Sequence, residues 1–312
     1  FCAFSKGPLS LNLRGNPYLL TLDDIKERVV EAVEVGATEV CLQGGIHPSF
    51  DGWYYRDVIL AAKEAAPDIH IHGFTALEVF EGARRLDMPL GEYLRILKDA
   101  GLATLPGTAA EILHDEVRAV ICPDKVNTAE WLEVHETAHE IGLRSNVTIM
   151  FGTVEEPRHI AHHLLVTRDL QDRTHGFTEF VPLPFVHMAS PIWIQGKSRR
   201  GPTWRETVLM HAVGRIAYHD SIDHIQASWV KVGFPGLAML LEAGVDDLGG
   251  TLMDENISRA AGAAHGQGLD VEGLVALCHE HGRTLQQRTT LYGRVQTQPE
   301  TTRVVEALAS LS

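Results

Sequence analysis

The chain has 312 residues, 45% hydrophobic and 22% charged, an ordinary globular composition with enough length for one barrel or two smaller domains. With 41 acidic against 27 basic residues its formal charge is −14, a field that repels nucleic acid and anionic lipid, so neither is expected as a partner. Its longest apolar stretches, Val58 to Ala66 and Leu237 to Leu241, fall far short of the ~20 residues a bilayer span needs.

Seven strand-like runs are predicted in chain order: EVCLQGG (39–45), IHIHGF (69–74), LATLPG (102–107), SNVTIMFG (145–152), FTEFVPLPF (177–185), HIQASWV (224–230) and DDLGGTL (246–252). Between them lie amphipathic stretches. DIKERVVEAVEVG (24–36) places Ile25, Val29, Val30 and Val33 at helical spacing before a glycine stop, YYRDVILAAKEAAP (54–67) follows, and TAEWLEVHETAHEIG (128–142) starts after an Asn127/Thr128 cap. Regular strand and helix alternation argues for parallel strands with helical crossovers. No GxGxxG follows any strand, so an eight-stranded βα barrel is favoured over a doubly wound sheet. With seven strands in hand, the first strand of the barrel is expected upstream of Phe1. FCAFSKG then reads as the loop after it, residues 1–295 as the barrel and 296–312 as a C-terminal tail.

The cysteines are Cys2, Cys41, Cys122 and Cys278, and none forms a CxxC pair within the chain. The start shows no charged-then-apolar leader, so reduced thiols in the cytoplasm are expected.

In a barrel of this kind, residues at the C-terminal ends of the strands face the substrate. At the end of the first run, Gly44 and Gly45 allow close backbone approach by a zwitterionic ligand, or they serve a turn that needs positive φ. His70 and His72 flank Ile71 on one strand face. That HxH pattern suits a zinc hydrolase, although in a chain with 17 histidines satisfied core or surface rings are the commoner outcome. Thr148-Ile-Met-Phe-Gly152 followed by Glu155 is a buried strand, a glycine turn and a carboxylate, able to pack an adenine or simply to form core. Asp246 to Thr251, leading to Asn256, Ser258 and Arg259, is a polar glycine-bearing loop of the sort that orients a sugar or carboxylate, or a helix start. Arg199 and Arg200 read as solvated loop charge.

Taken together, FCAFSKGP, CLQGGIHP, PDIHIHGF, LPGTAAEIL, ICPDK, TIMFG, FTEFVPLPFVH, GPTWRE, SWVK, DLGGTLMDENISRAAGAAHG and RTTLYG resemble the radical S-adenosylmethionine (radical SAM) enzymes of deazaflavin synthesis. The family in question is that of FO synthase subunit 2 (CofH) and the matching half of the fused FO synthases, and the resemblance covers residues 1 to 294. The menaquinone-pathway relatives of the futalosine route share the GGxHP element but are less similar at LPGTAAEIL and DENISRAAG.

The resemblance implies a (βα)8 TIM-type barrel holding a 4Fe-4S cluster and S-adenosyl-L-methionine. It implies a deoxyadenosyl radical that takes hydrogen from the amino group of L-tyrosine. The side chain then leaves the α-carbon, and the 4-hydroxybenzyl fragment joins 5-amino-6-(D-ribitylamino)uracil. A CofG-type FO synthase subunit 1, or a fused N-terminal half, would cyclise the product.

By the same resemblance Cys2 matches the third cluster cysteine. The other two are expected seven and three positions before it, beyond Phe1, and Cys41, Cys122 and Cys278 have the wrong spacing to replace them. Gly44 and Gly45 match the glycines facing the methionyl amino group, and Gly152 and Glu155 the motif beside the adenosyl group, with Ile149 or Met150 as apolar neighbours. His47, His72, Glu111, His187, Lys231, Thr251 and Asn256 are assigned to substrate by strand-end position alone. Two readings of other classes stand beside this one: a non-catalytic barrel binding a ribityl or adenosyl ligand, and the zinc hydrolase on His70 and His72.

Overall fold

The computed structural model describes residues 1–2, 19–253, 255, 257–266 and 268–295; Asn256 and the tail from 296 to 312 lie outside them. In chain order come α1 (Leu22–Glu34), β1 (Glu39–Leu42), α2 (Gly52–Ala65), β2 (His70–Gly73), α3 (Ala76–Arg85), α4 (Leu90–Ala100) and β3 (Thr104–Leu105). They are followed by α5 (Asp115–Ile121), α6 (Thr128–Glu140), β4 (Arg144–Phe151), α7 (Pro157–Thr174), β5 (Phe177–Pro184), α8 (Pro191–Ile194) and α9 (Trp204–Ala217). The last elements are β6 (His224–Ile225), α10 (Trp229–Leu241), α11 (Ile257–Ala261) and α12 (Val271–Glu280).

The helices begin where side-chain chemistry stops the backbone. Thr21 with Asp24, Thr75 with Glu78, Asn127 with Glu130 and Thr203 with Glu206 each form a capping box, satisfying amides that an open helix end would leave unpaired. The expected cap of α6 at Asn127 is therefore the observed one. In α10, Gly233 at φ 65° and Pro235 interrupt the helical geometry, because proline cannot donate to the preceding turn.

The six strands among the described residues run parallel in the order β1 to β6, with pairs such as Glu39 with His70 and Ile149 with Pro182 fixing the register. Parallel order sends every strand's C-terminal end to one face, the mouth. Trp131, Tyr55, Phe74, Phe151, Phe180, Ile59, Ile71 and Leu105 are fully buried in the core around the sheet.

The seventh predicted strand is corrected. DDLGGTL contributes only a single parallel bridge, Asp247 with Gln226. Its Asp247 carboxylate accepts the Gly249 N–H at 2.7 Å, and Gly249 takes φ +72°, so the chain turns where a ladder would have continued.

The floor, at the strands' N-terminal ends, is closed by the segment 288–292. Arg288 bonds to Glu179 at 3.1 Å and to Asp247, the Tyr292 hydroxyl donates to Glu179 at 2.6 Å, and Thr290 reaches Glu39. Tyr292 also stacks on His224 with ring centroids 3.5 Å apart. One short segment thus touches the first residue of both edge strands, β1 and β6, as a curled barrel wall requires.

Several histidines are buried as neutral rings. Burial holds His72 and His211 down to about 4 and His139 and His163 down to about 3, and His135 well below the ordinary value. A ring with a depressed folded pKa stabilises fully above its unfolded pKa of ~6.5 and loses that stability as pH falls through the folded value. Glu78 and Glu179, whose carboxyls burial pushes up, act in the opposite sense but are fewer. Urea melts should therefore show stability falling steadily from pH 6.5 towards pH 4, and a flat profile across that window would contradict the assignment of neutral rings.

Candidate active site

The loop after β1 carries the glycine pair. Gly44 and Gly45 are exposed, Gly45 has φ +65°, and a Cβ at Gly45 would meet nothing within 4 Å, so the backbone is open to a ligand. The loop is held from behind. Glu78, only 1% exposed, accepts the Gly45 N–H at 2.6 Å and the Thr75 N–H at 2.7 Å, and the Tyr55 hydroxyl donates to the Gly45 carbonyl at 2.9 Å. Burial raises the Glu78 pKa, opposed by the amides of Thr75, Gly45 and Gly44. His47, farther along, turns its Nδ1 to the Ser49 hydroxyl at 2.6 Å and packs on Phe50, while its carbonyl accepts from Arg85.

After β4, Gly152 and Glu155 form one clamp. The Glu155 carboxylate accepts the Gly152 and Thr153 amides and the Thr153 hydroxyl at 2.5 to 2.8 Å, and it pairs with Arg199 at 3.3 Å. Gly152 lies against Gly201 and Pro202, where a Cβ would collide. Both residues thus shape the turn at the strand end, and Arg199, expected as solvated charge, ties it to Glu206 of α9. Ile149 is fully buried and Met150 is 8% exposed; as neighbours on β4 they point to opposite faces, Ile149 to the one that Phe180 turns towards α9.

The third cluster gathers residues from six places in the chain. Glu111, in the loop after β3, bonds Lys125 at 2.8 Å, and Lys125 also sits 4.9 Å from the Phe1 ring centre. Ser190, after β5, donates to the Phe1 carbonyl at 2.6 Å, and Lys231, at the start of α10, donates to the Ser258 hydroxyl at 3.2 Å. Cys2 lies close enough for its charge to be felt by both lysines. Burial works against the Lys125 charge, but Glu111 and the two thiols Cys122 and Cys2 outweigh it and the pKa rises. Burial lowers that of Lys231 despite Glu255, Glu111 and Cys2.

Glu111 is placed at some conformational cost. It has φ 46° and Ala109 has φ 70°, a region L residues avoid. The buried Arg118 guanidinium secures that loop by donating to the carbonyls of Ala109, Ala110 and Val126, and the Glu111 carbonyl accepts the Met150 N–H at 2.9 Å.

The remaining expected residues separate. His72 is in the barrel interior with its Nδ1 2.7 Å from the Thr104 hydroxyl, and His70 reaches the same oxygen through Nε2 at 2.8 Å. That shared partner accounts for both rings without a metal. His187 packs edge-on against Trp193, and Thr251 is exposed with its carbonyl bonded to the Leu269 N–H. Lys125, Arg118 and Glu78 were not singled out by sequence, because each matters through a partner that only the fold brings near.

Cys2 offers one sulfur donor beside Lys125 and Lys231. Cys41 is on β1, Cys122 caps α5 and Cys278 is on α12; none of the four is in a disulfide. No other cysteine of the described residues joins Cys2 in a ligand group, so the described donors do not by themselves make up a cubane site.

Residues 1–165 match the model of the radical SAM superfamily, and residues 174–301 match that of the CofH/MqnC C-terminal region. The FO synthase of Streptomyces coelicolor is 47% identical over 295 residues, 95% of this chain and 34% of that protein. The chain thus spans about a third of the length of the FO synthases it matches. The 5-amino-6-(D-ribitylamino)uracil--L-tyrosine 4-hydroxyphenyl transferase of Methanothermobacter thermautotrophicus is 44% identical over 296 residues, 95% of this chain and 80% of that one. Among solved structures, methylornithine synthase (PylB) superposes with a TM-score of 0.66 at 16% identity, covering 92% of this chain and 79% of that one. The maturase HydG superposes with a TM-score of 0.61 at 15% identity, covering 94% and 63%. The chain belongs to the radical SAM superfamily, as an α/β barrel of the family that includes the FO synthases and the 4-hydroxyphenyl transferase.

Proposed function

We propose that residues 1–295 form a barrel that couples the 4-hydroxybenzyl group of L-tyrosine to 5-amino-6-(D-ribitylamino)uracil, on the route to the deazaflavin FO. The observation that carries this reading is the 44% identity to the Methanothermobacter transferase over 296 residues, 95% of this chain and 80% of that protein. S-adenosyl-L-methionine bound with a reduced 4Fe-4S cluster supplies a deoxyadenosyl radical.

The chain's own residues would do the rest by position and charge. The Gly44–Gly45 backbone, open and backed by Glu78, suits the methionyl amino and carboxylate groups. Cys2 is proposed as a cluster ligand. Lys125 and Lys231 offer two ammonium groups at the mouth for a substrate carboxylate, and Glu111, paired with Lys125 at 2.8 Å, offers a carboxylate for an amine. The Gly152–Glu155 clamp holds the edge against which an adenosyl group would lie. A primary carbon radical attacks most C–H bonds within reach, so apolar groups such as Met150 and Val181, on the face of β4 and β5 that also carries Thr148 and Glu179, would favour the intended hydrogen over others.

A CofG-type subunit 1, separate or fused, is the proposed partner that consumes the product, and a reducing cytoplasm the proposed setting. No helix among the described residues is long and apolar enough to cross a membrane.

The test is anaerobic turnover of the reduced, cluster-reconstituted protein with tyrosine and the ribitylaminouracil supplied singly and together. Deoxyadenosine should accumulate with tyrosine present, and coupled product only with both. Steady tyrosine consumption with no coupled product would sink the reading.

A further inference from the structure

Outside the mouth, the N-termini of α5 and α7 bring together a set of donors that the proposed reaction does not use. A ring nitrogen of His114, a ring nitrogen of His159 and a carboxylate oxygen of Glu116 all lie within 4.8 Å of one another. His159 is only 5% exposed, and neither its Nε2 nor the His114 Nδ1 has a hydrogen-bond partner among the described residues, although both atoms are buried. Buried polar atoms are ordinarily paired, so two orphaned imidazole nitrogens in one cluster point to a missing ligand. We propose that His114, Glu116 and His159 bind a divalent transition ion of the zinc type.

The geometry favours this ion class. Zinc bonds of about 2.0–2.2 Å in tetrahedral array put neighbouring donor atoms roughly 3.3–3.6 Å apart. His159 Nε2 already stands 3.5 Å from Glu116 Oε2. The widest separation needs to close by about an ångström, which the exposed Glu116 side chain can supply by a small rotation. Two imidazoles with one carboxylate select zinc, copper or nickel over magnesium and calcium, which prefer all-oxygen shells.

His162, one turn farther along α7, has its ring centre 5.0 Å from that of His114. Its Nδ1 lies 2.7 Å from the Leu113 carbonyl, so that nitrogen donates and Nε2 keeps its lone pair, the arrangement metal-bound histidines commonly show. The group itself holds three donors, which leaves a fourth position to water or to a movement of His162.

Two features oppose loading, and both are small. The Glu156 N–H donates to His159 Nδ1 at 3.0 Å, which puts the ring proton on Nε2. Metal at Nε2 moves that proton to Nδ1, at a cost of about one hydrogen bond, ~1 kcal/mol. Arg158 pairs with Glu116 at 3.3 Å and with Glu156 at 3.0 Å, but these exposed pairs contribute little and give way easily.

The site would tie two loops of the mouth together from outside. His114 is three residues past Glu111 in the loop after β3, and His159 is four past Glu155 in the loop after β4. Metal binding would therefore stiffen both without touching substrate.

The experiment is zinc titration of the cluster-loaded protein against a chromophoric chelator, repeated with cobalt(II) for its spectrum, on wild type, His114→Ala and Glu116→Gln. The His114 ring makes no capping bond and Glu116 is exposed, so both variants should fold, which their circular dichroism checks. About one ion should bind, with visible cobalt bands free of thiolate charge transfer, and both variants should weaken it by at least ~10-fold. Zinc should also raise the wild-type Tm but not that of His114→Ala. A cobalt spectrum dominated by thiolate charge transfer would overturn the proposal, as would affinity unchanged in both variants or no binding at millimolar zinc.

Discussion

Replacing Cys2 with alanine should remove the iron–sulfur absorbance of the reconstituted protein and with it at least ~1,000-fold of coupled-product formation. A cubane held by three cysteines loses a corner when one is deleted, and no neighbouring cysteine is placed to substitute. Cys41 on β1, Cys122 at the end of α5 and Cys278 on α12 are scattered over the barrel rather than gathered at its mouth. Alanine at each of those three should leave the visible spectrum and the product yield within about twofold. Cys122 and Cys278 are buried, so their variants should cost about 1 kcal/mol of stability without touching the cluster. Iron content and the visible spectrum, measured beside product, separate a lost ligand from a misfolded barrel. A Cys2→Ala protein that kept its absorbance would show that Cys2 is not a ligand.

The second large effect is at the opposite end of the barrel. Arg288→Ala should destabilise the fold by about 3–5 kcal/mol, because it strands two buried carboxylates, Glu179 and Asp247, without the guanidinium that pairs with both from the segment that closes the floor. Burial and Asp247 already push the Glu179 carboxyl up, against the opposing pull of Arg288, Tyr292 and Asn146. Removing the guanidinium should push it further, so the variant should recover part of its stability at acid pH, where the carboxyl is protonated and its charge no longer buried. Denaturant melts at two pH values measure both effects. A loss below about 1 kcal/mol would mean that the floor network is not what holds β1 and β6 together.

The strands were legible in the sequence because β-branched runs such as SNVTIMFG end in glycine or proline, and β4 and β5 follow those runs almost residue for residue. DDLGGTL misled for a physical reason. Its apolar residues suggest a strand, but Asp247 is committed to Arg288 and the Gly249 amide, and that local bonding ends the ladder after one bridge.

The mouth was legible only where one residue type carries the signal. The Gly44–Gly45 pair stood out because a strand end seldom needs two residues without side chains. Glu155 was visible as a carboxylate, but not its use, since only the fold shows both its oxygens turned back onto Gly152 and Thr153. Lys125 and Glu111 are 14 residues apart and Glu78 lies 33 residues from Gly45, so no spacing rule joins them. Arg199 looked like loop charge because most loop arginines are solvated; its pairing with the buried Glu155 follows from the way α9 packs beside β5.

The most direct measurement of the central claim is mass spectrometry of the uracil product formed from ring-deuterated tyrosine. The account predicts an adduct of 5-amino-6-(D-ribitylamino)uracil that carries the whole deuterated 4-hydroxybenzyl group, formed together with deoxyadenosine. An unlabelled uracil alongside deuterated tyrosine fragments released to solvent would contradict it.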